Sequence, residues 1–205
     1  MLKVKKMRPN AHMENLASGE EEVDYLRLNA VGFVVLIIIS ILVAPLLHEM
    51  LHMFVLDATE TKYRSEIVFS AASGIHGKIT PITELGVGDS LIMLGVGVFS
   101  NLVLSAVFFA GSWITRHRGM THESILSTYL AIGFFYNPLM YFFAGSGDLV
   151  NMMTLLDLEG YGYVLPIMGL SMLIFVLLYL HDHAKNVLWG QEDVERRPLL
   201  TADFI

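Results

Sequence analysis

The stretch AVGFVVLIIISILVAPLL, residues 30–47, runs without a single charged side chain. About 20 mainly apolar residues are needed for an α-helix to cross the hydrocarbon core of a bilayer, so this stretch predicts a transmembrane helix. Three later uncharged stretches have comparable length: Ser90 to Thr115, Ser124 to Gly147, and Gly160 to Leu180. We therefore predict an all-α membrane protein with four transmembrane helices.

The composition agrees with this fold class. Of the 205 residues, 54% are hydrophobic and only 16% are charged, which is too apolar for an ordinary soluble domain. The net charge of −7 argues against a nucleic-acid partner. The chain divides into a polar N-terminal tail, residues 1–27, a transmembrane domain, residues 28–183, and a polar C-terminal tail, residues 184–205, and we expect both tails to be mobile.

The first apolar stretch leads directly into HEMLH, residues 48–52. Residues four apart lie on one face of a helix, so His48 and His52 can bind one ion while Glu49 lies alongside. This H-E-x-x-H pattern supplies two zinc ligands and a carboxylate that takes a proton from water. The alternative is three unrelated polar residues at a helix end. Because a charge at bilayer depth costs about 2.5 to 3.5 kcal/mol, we favour the zinc site.

A catalytic zinc site normally has three protein ligands, and cysteine is absent from this chain, so a third histidine or carboxylate is needed. We predict Asp148, which follows the third apolar stretch after the helix-breaking sequence Gly145-Ser146-Gly147. The first and third spans run in the same direction, so both end on the same side of the bilayer. Asp148 could instead cap a short helix, residues 149–156. Other candidate ligands lie in the loop after the first span: Asp57, Glu60, His76 and Glu84.

These motifs resemble the site-2 protease class of intramembrane zinc metalloproteases. The resemblance rests on His48-Glu49-Met50-Leu51-His52, on GVGVFSNLVLSA at residues 95–106, and on Asn137-Pro138 followed by Asp148. It covers residues 30–151 and implies a three-helix core, with zinc held by the two histidines and the aspartate and with Glu49 activating water. The sequence GSGDLVN around Asp148 departs from the usual asparagine and proline run before Asp-Gly. In this respect it is closer to divergent zincin-like relatives of the class.

The roles of two asparagines in the later spans can each be interpreted in two ways. Asn101 follows closely spaced glycines and serines, so it can hydrogen-bond across a helix interface or hold a substrate carbonyl or oxyanion. Pro138 removes a backbone donor and bends the third helix, where Asn137 can project into the interior. Helix packing and substrate contact both stay open for Asn101 and Asn137.

The segment between the first two spans, residues 62–89, contains β-branched residues in near-alternation around a glycine. It predicts a short hairpin or a re-entrant loop at the end where the histidine motif lies. An exposed strand edge could hold a peptide substrate in extended form, although a simple surface hairpin fits the pattern equally.

Together these features predict an intramembrane metalloprotease with Zn²⁺ as cofactor, acting on a membrane protein or peptide in or beside the lipid bilayer. One alternative is a non-proteolytic zinc-binding membrane protein, such as an assembly factor or inactive relative. Another is a metal transporter. Glu49 favours the enzyme, and the lack of acidic or histidine residues deep in the second and fourth spans argues against a transport path.

The orientation in the membrane is left open by two conflicting arguments. Of the 13 Lys and Arg residues, three lie between the first two spans and the other ten lie on the opposite side. The positive-inside rule then puts both termini in the cytoplasm and the histidine motif towards the outside. The family resemblance implies a site nearer the cytoplasm.

Overall fold

The computed structural model describes residues 26–70, 74–145 and 147–188. Most of both predicted tails, residues 1–25 and 189–205, lies outside the described residues, as does Ser146 of the glycine break. The described helices are α1 (Leu26–Ala58), α2 (Val87–His117), α3 (Thr121–Phe143), α4 (Asp148–Leu155) and α5 (Val164–Leu188). A short 3₁₀ turn, Glu159–Tyr161, precedes α5. The strands are β1 (Tyr63–Ser70) and β2 (Gly74–Pro81).

Within the described ranges, four helices are long and apolar enough to cross a membrane, and they are α1, α2, α3 and α5. The length and composition of these helices confirm the prediction of four helices that could cross a membrane. The end of α1 differs from the end of the predicted span, whereas α3 ends just before the predicted glycine break. Helix α1 continues past Leu47 to Ala58, so the histidine motif lies inside a helix instead of at its end. Helix α3 stops at Phe143, because Gly145 and Gly147 adopt φ values of +63° and +92°.

Helix α1 contains one π-helical turn, Ile39–Val43. The amide of Ala44 donates to the carbonyl of Ile39, five residues back. Pro45 follows directly and has no N–H, so the regular ladder cannot continue through it and the preceding turn widens. The irregular turn therefore ends one helical turn before His48.

The segment between α1 and α2 is an antiparallel hairpin, in which Tyr63 lies opposite Pro81 and Ser70 lies opposite Gly74. This confirms the predicted hairpin. Strand β2 packs against α1. The hairpin therefore lies beside the helix that carries the histidine motif.

Helices α2 and α3 form the largest helix interface of the described residues. Small polar residues line it, and Oγ of Ser105 donates to the carbonyl of Ala131 at 2.9 Å. One buried apolar cluster joins four helices through Val98, Phe142, Leu149 and Leu165. Because Leu149 is adjacent to Asp148, this cluster fixes the start of α4 against the bundle.

Candidate metal centre

The two motif histidines are buried inside the bundle. His48 is 1% exposed and His52 is 6% exposed. Their ring centroids lie 4.6 Å apart, and the rings are nearly perpendicular, at 80°. The four-residue spacing on α1 thus places both imidazoles on one face, as the sequence predicts.

Asp148 lies about 100 residues later in the chain and contacts both histidines. Its Oδ2 lies 2.7 Å from Nε2 of His48 and 3.2 Å from Nε2 of His52. Asp148 is the first residue of α4, and Gly147 occupies the capping position before it. The carboxylate faces the two imidazoles, so the three residues form a group that could hold a metal ion.

The charge state of Asp148 suits a metal ligand. Burial raises the pKa of its carboxyl group, but the hydrogen bonds and charges of His48 and His52 outweigh burial and lower the pKa to about 2. The carboxylate is therefore ionised and can only accept hydrogen bonds or bind a cation.

A glycine on α2 makes room for the first histidine. A Cβ atom at Gly97 would lie 2.5 Å from Nδ1 and Cε1 of the His48 ring. Only a glycine lets α2 pack this closely on that imidazole. Nδ1 of His48 is buried here without a hydrogen-bond partner among the described residues. Nε2 of the same ring faces the carboxylate of Asp148.

Glu49 lies next to His48 and is half-buried. A Cβ atom at Gly77 would lie 2.6 Å from Cγ of Glu49, so strand β2 passes directly over this side chain. Glu49 is not a member of the three-residue group. It follows His48 directly in the chain and lies under the hairpin, and its role as a base stays a prediction.

The two asparagines meet in the interior. Nδ2 of Asn101 contacts the carbonyl of Ala44 at 3.2 Å and Oδ1 of Asn137 at 3.3 Å. Asn101 is completely buried. These hydrogen bonds join α1, α2 and α3 one turn before His48. They agree with the interpretation that the two asparagines hold the helices together. Contact with a substrate stays a prediction for both residues.

Sequence reasoning missed Tyr141, which belongs to the same group of side chains. Its ring stacks on the His48 ring at 5.1 Å and 9°, and its hydroxyl lies 3.3 Å from Nε2 of His48. Tyr141 is four residues after Asn137, on the same face of α3. That spacing is the signal that could have indicated it.

The alternative ligands proposed from sequence lie elsewhere. Asp57 and Glu60 line a surface cleft beside Tyr63. Glu84 lines a cleft of about 490 Å³ between the end of β2, α2 and α4. The side chain of His76 lies outside the described residues. In the part of the chain that the structure describes, only Asp148 joins the two histidines.

No family model, curated protein or solved structure matches this chain. The resemblance to site-2 proteases therefore rests on the chain's own motifs.

Proposed function

We propose that this protein is a multi-pass membrane zinc metalloprotease, similar to the site-2 protease class, that hydrolyses peptide bonds within or beside the bilayer. The observation that carries the proposal is the convergence of His48, His52 and Asp148 next to Glu49. The chain brings an anionic carboxylate to two imidazole nitrogens from about 100 residues away. Structural packing alone does not require three ligand groups and a base at one buried point.

The surface of the helices supports a membrane location. Large apolar side chains stand exposed along the four long helices, including Val34 on α1, Val103 on α2 and Phe175 on α5. A soluble monomer rarely leaves so much apolar surface uncovered, whereas lipid would cover it. Their distribution over α1, α2, α3 and α5 fits a small bundle that is surrounded by hydrocarbon chains.

The donor atoms suit zinc. Imidazole nitrogen and carboxylate oxygen are common zinc ligands, and three of them leave a fourth position open for water or substrate. Two donors about 2.1 Å from zinc at a tetrahedral angle are roughly 3.4 Å apart. The observed spacings of Oδ2 of Asp148 from the two Nε2 atoms, 2.7 and 3.2 Å, need only a small opening to reach that value.

Zinc, when bound, would supply a Lewis acid that polarises a carbonyl and makes water more acidic. The chain's own residues do the rest of the chemistry. Glu49 accepts a proton from the water that attacks the peptide carbonyl carbon, and later gives it to the leaving amine. Strand β2 lies over Glu49, so an extended peptide beside the hairpin would bring its carbonyl carbon close to the water that Glu49 deprotonates.

The central test is Glu49→Gln, because glutamine keeps the shape and loses the basicity. The variant should retain zinc and fold normally, and its cleavage of candidate membrane substrates in reconstituted vesicles should fall about 10²- to 10⁴-fold. Glu60→Gln is the matched control, since Glu60 is exposed in the turn after α1 and is outside the metal group, and it should cleave like the parent. A Glu49→Gln variant that cleaves as fast as the parent contradicts the mechanism.

Metal analysis tests the ligand set in the same preparation. Alanine at His48, His52 or Asp148 should lower the zinc stoichiometry, and Asp57→Asn should not. Full zinc retention in Asp148→Ala would exclude Asp148 as the third ligand. If neither the parent nor any variant cleaves a substrate, but vesicles that contain the parent protein accumulate zinc, the protein is a transporter and the protease proposal is wrong.

A further inference from the structure

Tyr141 is the fourth polar side chain at the metal group, and its position is fixed on two sides. Its ring stacks on His48, with centroids 5.1 Å apart. On the other side, a Cβ atom at Gly147 would lie 2.8 Å from the tyrosine ring, so the backbone just before Asp148 packs closely against it. The phenol is thus held between one ligand and the residue that precedes another.

The hydroxyl of Tyr141 points into the group of ligand atoms. It lies 3.3 Å from Nε2 of His48, the same nitrogen that faces Asp148. A ligand nitrogen gives its lone pair to the metal ion, so Nε2 could then neither accept nor donate a hydrogen bond. The hydroxyl would lose that partner, and a partly buried donor without an acceptor is unfavourable. The carbonyl oxygen of a bound substrate would restore an acceptor.

We propose that Tyr141 is a further catalytic residue, whose hydroxyl donates a hydrogen bond to the carbonyl oxygen of the peptide bond being cleaved. The inference rests on the proposed protease function and extends it. As the water oxygen bonds to the carbonyl carbon, Glu49 takes the water proton and the C=O π pair moves onto the oxygen. Tyr141 stabilises that negative charge and keeps its own proton. The C=O bond then re-forms, the C–N bond breaks, and the amine receives the proton from Glu49.

A structural role makes a different prediction. If the ring only packs on His48, Tyr141→Phe keeps the stacking and should leave catalysis unchanged. If the oxygen is a metal ligand, the same variant should lose zinc or change the coordination of a substituted metal. A hydrogen-bond donor to the substrate predicts neither, because its loss is felt only when a carbonyl-like oxygen is present.

The experiment compares Tyr141→Phe with Tyr136→Phe. Tyr136 lies on the same helix, is 48% exposed and is outside the metal group, so it provides a matched loss of one hydroxyl. We expect Tyr141→Phe to retain full zinc and to lower kcat about 10²-fold or more, with KM little changed. Tyr136→Phe should match the parent. Unchanged kcat in Tyr141→Phe, or loss of zinc, would overturn the proposal.

A second readout does not depend on proteolysis. The full-length protein is loaded with Co²⁺, and its visible spectrum is followed as acetohydroxamate is added, since the carbonyl oxygen of this probe can take the place of the substrate oxygen. The Co²⁺ spectrum without the probe should be the same in both variants and the parent. The probe should bind about tenfold more weakly to Tyr141→Phe alone, in line with the loss of one hydrogen bond. Equal probe affinity in all three proteins overturns the role of Tyr141 as a donor to a carbonyl oxygen. A parent that binds the probe more tightly than Tyr141→Phe but cleaves no peptide instead contradicts the proposed protease function.

Discussion

Gly97, Gly77 and Gly147 each lie against one side chain of the candidate site: His48, Glu49 and Tyr141, respectively. The three glycines come from α2, from β2 and from the break before α4, so each site residue is held by the backbone of a different element. Backbone contact leaves a side chain few alternative rotamers. At the scale of single residues, the positions of His48, Glu49 and Tyr141 therefore depend on glycine, which has no Cβ atom, at the three contacting positions.

Gly97→Ala tests this dependence at the metal group. The new Cβ would lie 2.5 Å from the His48 ring, so the imidazole or α2 must move. Such overpacking typically costs about 1 to 3 kcal/mol, and we expect weaker zinc binding and a lower melting temperature. Competition with a chelator measures the first and a thermal melt the second.

Gly111→Ala is the control for that change, because Gly111 is on the same helix and a Cβ there meets no atom within 4 Å. It should bind zinc like the parent. Equal zinc affinity in both alanine variants would show that His48 tolerates displacement, against the close packing observed here.

The three residues of the candidate metal group could be predicted from sequence because two simple rules apply to them. Helical periodicity pairs His48 with His52, and the common direction of the first and third spans brings Asp148 to the same end. The spacing of Tyr141 from Asn137 indicates a shared face of α3, but the stacking of Tyr141 on His48 and the contact of Gly97 with His48 could not be predicted in this way. They depend on how each helix is rotated about its axis when it packs, and a pattern of uniformly apolar spans does not encode that rotation.

Strand β2 gives the clearest example at the scale of secondary-structure elements. The alternation in residues 62–89 predicts a hairpin or a re-entrant loop, but it does not predict that Gly77 would contact Glu49. Likewise the length of the first apolar stretch predicts a span, while the helix continues to Ala58 because HEMLHMFVLDA has no glycine or proline to stop it. Elements follow from local pattern, and their contacts follow from packing.

Gly77→Ala tests whether the hairpin positions the proposed base. Its Cβ would lie 2.6 Å from Cγ of Glu49, so the carboxylate or the strand must shift. Misplacement by about 1 Å can lower a rate by 10²-fold, and we expect a loss of this order in kcat with zinc content unchanged. Cleavage assays paired with metal analysis separate the two effects.

Gly88→Ala is the control for Gly77→Ala. Gly88 lies at the start of α2, and a Cβ atom there would have no neighbour within 4 Å. This variant should cleave like the parent. If Gly77→Ala cleaves equally well, the hairpin does not control the orientation of Glu49.

At the scale of the whole molecule, the order of the elements decides which parts share a side of the membrane. Helix α4 has eight residues, about 12 Å of helix, and is too short to cross a bilayer. With four crossings, the hairpin and α4 lie at one end together with the metal group. The turn at residues 118–120 lies at the other end.

This topology predicts a labelling pattern that single cysteines can report, because the natural chain has none. Thr80→Cys in the hairpin and Tyr163→Cys after α4 should react with a membrane-impermeant maleimide from one side. Met120→Cys should react only from the opposite side. All three positions are exposed. The comparison is made in intact cells and again after permeabilisation.

Reaction of all three cysteines from one side would contradict the four crossings. With the expected pattern, the side on which Thr80→Cys reacts decides between the two orientation arguments. Labelling from outside agrees with the ten Lys and Arg residues on the other face. Labelling only after permeabilisation puts the metal group on the cytoplasmic side, where the resemblance to site-2 proteases places it, and the excess of basic residues then lies on the far side. Substrates would accordingly be sought among proteins whose cleavable segment reaches that face of the bilayer.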